Sequence, residues 1–142
     1  MPEKVLLVDD EKEFLEVLAE RMAARGIEVS TASSAAEALQ LVEEESFDAI
    51  IVDLMMPEMD GIETLKRLKI ENPDSQVILL TGHATVEKGI EAMKLGAVDF
   101  LEKPADLSVL TQKIKKAHAQ KMMVVQKRIE EKVKKIMGVK GW

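Results

Sequence analysis

The chain of 142 residues has no cysteine and no tyrosine, and only one tryptophan, three phenylalanines, two histidines and four prolines. Without cysteine it can form neither a disulfide framework nor a thiolate metal site, and it has no cysteine nucleophile. No stretch approaches the roughly 20 consecutive apolar residues that span a bilayer. Met1 to Lys4 does not lead into an apolar stretch with a small-residue cleavage site, so the reading is a soluble, cytoplasmic chain with no membrane role. At 46% hydrophobic residues, it has enough apolar side chains for one core, and one domain is the natural count.

Charge is unevenly spread. Residues 1–106 carry ten Lys and Arg against twenty-four Asp and Glu, whereas residues 107–142 carry ten against two. A body of net −14 followed by a tail of net +8 marks a distinct terminal segment, divided here as 1–120 and a basic helical extension 121–142. The bland reading of the tail is a solvated helix face. The sharper one is attraction to an acidic partner or to the body itself.

Hydrophobic periodicity alternates between two types. Lys4 to Asp9 reads as a buried strand, and Glu11 to Arg25 as a helix with Phe14, Leu15, Leu18 and Met22 on one face, closed by Gly26. The unit then repeats. Strands are expected at Ile27–Thr31, Ala49–Val52, Val77–Leu80 and Val98–Leu101. Helices are expected after a Ser33 or Ser34 cap, from Ile62 until Pro73 ends the third, over Thr85–Leu95, and after an Asp106 cap. Five strands alternating with five helices imply an α/β fold with a parallel sheet covered on both faces. Ligands of such sheets bind outside the carboxyl ends of the strands.

Those ends carry polar groups: VLLVDD closes on Asp9 and Asp10, AIIVD on Asp53, QVILLT on Thr81 and VDFLEK on Lys103. Carboxylates without His or Cys suit a hard cation such as Mg²⁺, which keeps several waters and takes one or two protein carboxylates plus a phosphate. An aspartate beside such an ion can attack phosphorus and form an aspartyl phosphate, the role given to Asp53. Lys103 would then neutralise charge on the transferring group, and the Thr81 hydroxyl would donate to one of its oxygens. Any one of these residues has an ordinary alternative as a strand-end or cap residue. Coincidence does not explain all five.

The segments VLLVDD, IIVDLMMPEMDG, LLTGHA and DFLEKP resemble, in order and spacing, the receiver domain of two-component response regulators, over roughly residues 3–120. That resemblance implies a doubly wound, five-stranded, flavodoxin-like (βα)5 fold with an extended C-terminal helix. It also implies Mg²⁺ held by Asp10, Asp53 and the Met55 backbone carbonyl, with Asp9 mostly through water, and phosphorylation of Asp53 by a histidine kinase or phosphotransfer protein. It further implies a cis bond before Pro104, a switch through Thr81 and Phe100 to the face of the fourth helix, fifth strand and last helix, and kinase specificity on Glu11–Arg25. Phe100 stands where many relatives have Tyr, so ring burial, without a hydroxyl bond, would report the state; the plain alternative is a core residue. Met55 and His83 flank the site as candidates for tuning water access, and His118, among lysines, has no assigned role.

On the last helix Leu107, Leu110, Ile114 and Ala117 form one stripe, which fails at Lys121. A second stripe, Met122, Val125, Ile129, Val133 and Ile136, suggests a homodimer through the last helix and its extension, against a frayed or self-docked tail. Some 20 residues are too few for a DNA-binding or enzymatic output module, so no direct nucleic-acid contact is expected. The function expected is a phosphorylation-dependent signalling switch, not an enzyme. The alternatives are the receiver piece of a longer, ATPase-containing transcriptional activator and, further off, a phosphatase-type hydrolase using the same aspartate.

Overall fold

The computed structural model describes residues 2–82, 86–104 and 106–138. In chain order they form β1 (Lys4–Val8), α1 (Lys12–Ala24), β2 (Glu28–Ala32), α2 (Ala35–Glu44), β3 (Ala49–Asp53), α3 (Gly61–Glu71), β4 (Val77–Thr81), α4 (Val86–Lys94), β5 (Asp99–Glu102) and α5 (Leu107–Met137). The strands make one parallel sheet in the order β2-β1-β3-β4-β5. The order reverses direction between β1 and β3, and that is where a doubly wound sheet opens a crevice.

Central strands of such a sheet are covered on both sides and read as continuous apolar runs. Every residue of β3 and β4 is buried. Alternation assigns Leu6, Val8, Ile50, Val52, Val77 and Leu79 to the face under α2, α3 and α4, where Ala38, Leu65, Leu68 and Ala92 meet them. Val5, Leu7, Ile51, Ile78 and Leu80 point the other way, against Leu15, Leu18 and Met22 of α1 and Leu110, Ile114 and Ala117 of α5.

Local chemistry sets the helix ends. Ser34, rather than Ser33, caps α2: its Oγ accepts from the Glu37 N–H at 3.2 Å, while Glu37 reaches back to the Ser33 N–H at 3.2 Å. This is a reciprocal capping arrangement, so Ser34→Ala should lower stability by about 1 kcal/mol in urea unfolding. Asp60 and Asp106 cap α3 and α5 through their carboxylates. Gly26 and Gly96 close α1 and α4 at φ +84° and +100°, where a Cβ would be strained.

Every strand end lies one residue from the sequence reading: β1 stops one residue earlier, and β2, β3, β4 and β5 run one further, to Ala32, Asp53, Thr81 and Glu102. β1 ends at Val8 rather than Asp9 because the Asp9 side chain accepts from the Glu11 N–H at 2.9 Å and turns the chain. The β5 span moves one residue along, to Asp99–Glu102, paired with Ile78–Thr81. Thr85, the expected start of the fourth helix, lies outside the described residues. α5 continues unbroken for 31 residues to a left-handed Gly138, so the change of stripe near Lys121 does not interrupt it.

Candidate functional site

β1 and β3 deliver Asp9 and Asp53 to the carboxyl edge of the sheet, where each is almost fully buried, at 3% and 4% exposure. Asp10, one residue into the turn, remains exposed. Even so, one oxygen from each of the three carboxylates lies within 4.8 Å of the others, so the turn after β1 gathers adjacent residues around one point. Lys103, just past β5, reaches into this group: its Nζ is 2.7 Å from Asp9 Oδ2, 3.3 Å from Glu11 Oε1 and 3.6 Å from Asp53 Oδ1. The ammonium also stands over the Phe14 ring, 4.3 Å from its centre. An aromatic face and two strong acceptors hold it in one place.

The charges are unequally compensated. Burial, then the neighbouring Asp9 charge, push the Asp53 carboxyl up to about 6, against the pull of Lys103 and a hydrogen bond from the Met55 N–H. Burial by itself would lower the Lys103 ammonium, but the Asp9 hydrogen bond and the charges of Asp9 and Asp53 outweigh it and raise it above its ordinary value. Two buried carboxylates share one ammonium. A group in that position is short of positive charge, and a divalent cation or a proton relieves it.

The loop after β3 is drawn in tightly. The Gly61 N–H donates to the Leu54 carbonyl at 2.7 Å, and a Cβ on Gly61 would lie 2.6 Å from the Asp53 carbonyl oxygen and 2.6 Å from Leu54 Cα. Only glycine permits the start of α3 to approach the acidic strand end this closely. Glu58, within the same loop, takes a left-handed φ of +70°.

The other sequence candidates fall as follows. Thr81 ends β4 with no solvent exposure, and its carbonyl accepts from the Lys103 N–H at 2.7 Å. The Lys103–Pro104 peptide is cis. Phe100 is partly buried on the α2–α3–α4 face, and a Cβ on Gly89 of α4 would come 3.4 Å from its ring. The Met55 side chain is 62% exposed. His83 lies outside the described residues. His118, given no role from sequence, has Nδ1 2.6 Å from Asp48 Oδ1 at the opposite edge of the sheet. Sequence reasoning also missed Glu11 and Phe14 as neighbours of Lys103, and Gly61 as a steric requirement. Glu11 was visible as a third acidic residue beside Asp9 and Asp10, whereas Phe14 read simply as core.

Residues 5–115 match the response regulator receiver domain. The chain belongs to the response regulator receiver family. Among curated relatives of this receiver, transcriptional regulatory protein ZraR of Escherichia coli (strain K12) is 40% identical over 115 residues, 81% of this chain and 26% of ZraR. The chain thus spans about a quarter of the length of that relative. Among solved structures, a response regulator receiver domain protein from Clostridium thermocellum superposes with TM-score 0.82 at 36% identity, covering 86% of this chain and 98% of that one. The beryllofluoride-activated NtrC4 receiver domain dimer does so with TM-score 0.78 at 36% identity, covering 83% and 98%. The receiver fold and family expected from the sequence are therefore correct. Three carboxylates without thiolate or imidazole among them form a donor set that suits a hard, oxygen-seeking cation.

Proposed function

We propose that this receiver is a phosphorylation-dependent switch in which Asp53 accepts a phosphoryl group from the phosphohistidine of a histidine kinase or phosphotransfer protein. The observation that carries this reading is the buried Asp53 carboxylate grouped with Asp9, Asp10 and the Lys103 ammonium. An Asp53 oxygen attacks phosphorus as the bond to the donor imidazole breaks, and the electron pair leaves with that nitrogen. Asp10, Asp53 and the Met55 carbonyl would hold Mg²⁺, with Asp9 acting mostly through water; the ion supplies charge neutralisation for the phosphoryl oxygens. Lys103 keeps a fixed positive charge beside the transferring group, and Thr81 donates its hydroxyl to a phosphoryl oxygen.

Treatment with a small phosphodonor should label the protein stoichiometrically and only with Mg²⁺ present, as read by intact mass. Asp53→Ala should abolish the label; labelling that persists in that variant would overturn the assignment. Lys103→Met should slow labelling by about 100-fold, the loss typical of one preorganised charge donor. Because Lys103 now neutralises Asp9 and Asp53, the same change should tighten Mg²⁺ binding, as followed by titration calorimetry. Weaker Mg²⁺ binding would mean that the ammonium supports the metal instead of competing with it.

The added charge draws Thr81 toward the phosphoryl oxygens, and Phe100 responds by closing on the α4–β5–α5 face, which passes the change to a partner. A second copy is the partner this reading favours. Met122, Ile129, Val133 and Ile136 on α5 are all more than half exposed, and a solved relative is described as an activated receiver dimer. Light scattering with and without beryllofluoride tests this; a constant monomer contradicts it. The place of action is the cytoplasm, consistent with the absence, among the described residues, of any helix long and apolar enough to cross a membrane.

The match to ZraR over a quarter of its length supports a second reading, in which this receiver is one part of a longer transcriptional activator. The gene sequence following the Trp142 codon distinguishes the two.

A further inference from the structure

The sheet-facing row of α5 begins with Leu110, Ile114 and Ala117, all with no exposure. At 3.6 residues per turn, the same row continues through Lys121 and Arg128, where it turns from apolar to basic. Both side chains grip the amino-terminal edge of the sheet, opposite Asp53. Lys121 Nζ donates to the Phe47 carbonyl at 2.7 Å and to Ser46 Oγ at 2.8 Å, just before β3. Arg128 forms a two-pronged pair with Asp74, just before β4: Nη2 lies 2.6 Å from Oδ1 and Nη1 contacts Oδ2. Nearly one turn before Lys121, His118 meets Asp48.

The Asp74 loop is built to be held. Asp74, Ser75 and Gln76 are buried, the Asp74 N–H donates to Asn72 Oδ1, and Lys69 Nζ donates to the carbonyls of Pro73 and Ser75, each at 2.9 Å. A carboxylate this buried needs a cation, and Arg128 arrives from 54 residues away. The exposed stripe Met122, Ile129, Val133 and Ile136 lies about one residue, or 100° of helix, round from the gripping row. Polar contacts, not apolar burial, therefore hold the extension to its own domain. The opposite net charges of body and tail give that grip a long-range component.

We propose that the base of the sheet is a docking site for the chain's own C-terminal helix, with Lys121 and Arg128 as the positioning residues. The helix is thereby a fixed part of the receiver that presents its apolar stripe in one direction. This inference does not depend on phosphorylation of Asp53, and its test is independent of that reading.

Hydrogen exchange on the whole chain tests it. Arg128→Glu should speed exchange of amides over 121–137 and 72–76 by about tenfold or more, as expected when a two-pronged ion pair is lost, while β3 and β4 stay protected. Combining it with Asp74→Arg should restore most of the protection. Wild-type protection of 121–137 should not vary with protein concentration. Unchanged exchange in Arg128→Glu, or failure of the reversed pair to restore protection, would overturn the docking site. Protection that appears only as concentration rises would assign the helix to a second copy instead.

Discussion

Asp53→Asn should raise the stability of the Mg²⁺-free protein by about 1–3 kcal/mol at pH 8 and change it little at pH 4. The cause is burial of Asp53, together with its crowding by Asp9 behind a single ammonium, which push its carboxyl up to about 6. A free aspartate titrates near 4, so between roughly pH 4 and 6 the folded state binds more protons than the unfolded one. Stability therefore falls as pH rises through that window, and the full penalty is present above it. Asparagine has nearly the same shape and no charge, and Lys103 keeps its Asp9 and Glu11 partners in the variant. The expected gain in melting temperature is roughly 3–9 °C for a chain of this size. Saturating Mg²⁺ should shrink the difference, because the ion relieves in the native protein what the substitution removes. A variant no more stable than wild type at pH 8 would mean that Asp53 is not electrostatically strained.

The second large effect belongs to a residue that takes no part in the chemistry. Gly61→Ala should destabilise by about 1–3 kcal/mol in urea unfolding and slow phosphodonor labelling by an order of magnitude or more. The added Cβ would stand 2.6 Å from the Asp53 carbonyl oxygen and from Leu54 Cα, both main-chain atoms that no rotamer change can move aside. Relief requires β3 and the start of α3 to separate. That displaces Asp53 and breaks the 2.7 Å bond from Gly61 to Leu54. Wild-type stability together with wild-type labelling would show that the loop relaxes freely. Lost stability with unchanged labelling would show that the strand end holds Asp53 by itself.

How much of this was legible in the sequence follows from the range of the interactions. The strands were readable because a doubly covered parallel sheet needs uninterrupted runs such as AIIVD and VILLT. The acidic edge was readable because strand ends in this architecture all face one way, so Asp9, Asp53 and Lys103 meet although Lys103 lies 94 residues from Asp9. Helical periodicity placed Phe14 on the apolar face of α1 but could not show that its ring lies under an ammonium. Gly61 stands just before the helix expected from Ile62, yet its necessity depends on how closely α3 approaches β3 in three dimensions. The base of the sheet was the least legible region. Lys121 looked like a break in an apolar stripe and His118 like a bystander, because their partners, Phe47 and Asp48, lie 74 and 70 residues away and carry no motif.

These two edges divide the molecule by task. At the carboxyl edge, burial of like charges stores unfavourable electrostatics that a cation or a proton relieves. At the amino edge, Arg128 pairs with a buried carboxylate and leaves no such imbalance. α5 runs between the two, with Lys113 paired to Asp99 at the start of β5 and Arg128 to Asp74 just before β4.

Everything proposed for the switch turns on which aspartate accepts the phosphoryl group. Protein labelled by a small phosphodonor in Mg²⁺ should be reduced with borohydride, which converts an acyl phosphate to the alcohol, and then mapped by peptide mass spectrometry. Homoserine should appear at position 53 and at no other aspartate. Conversion at Asp9, Asp10 or Asp60 in its place, with Asp53 intact, would contradict it.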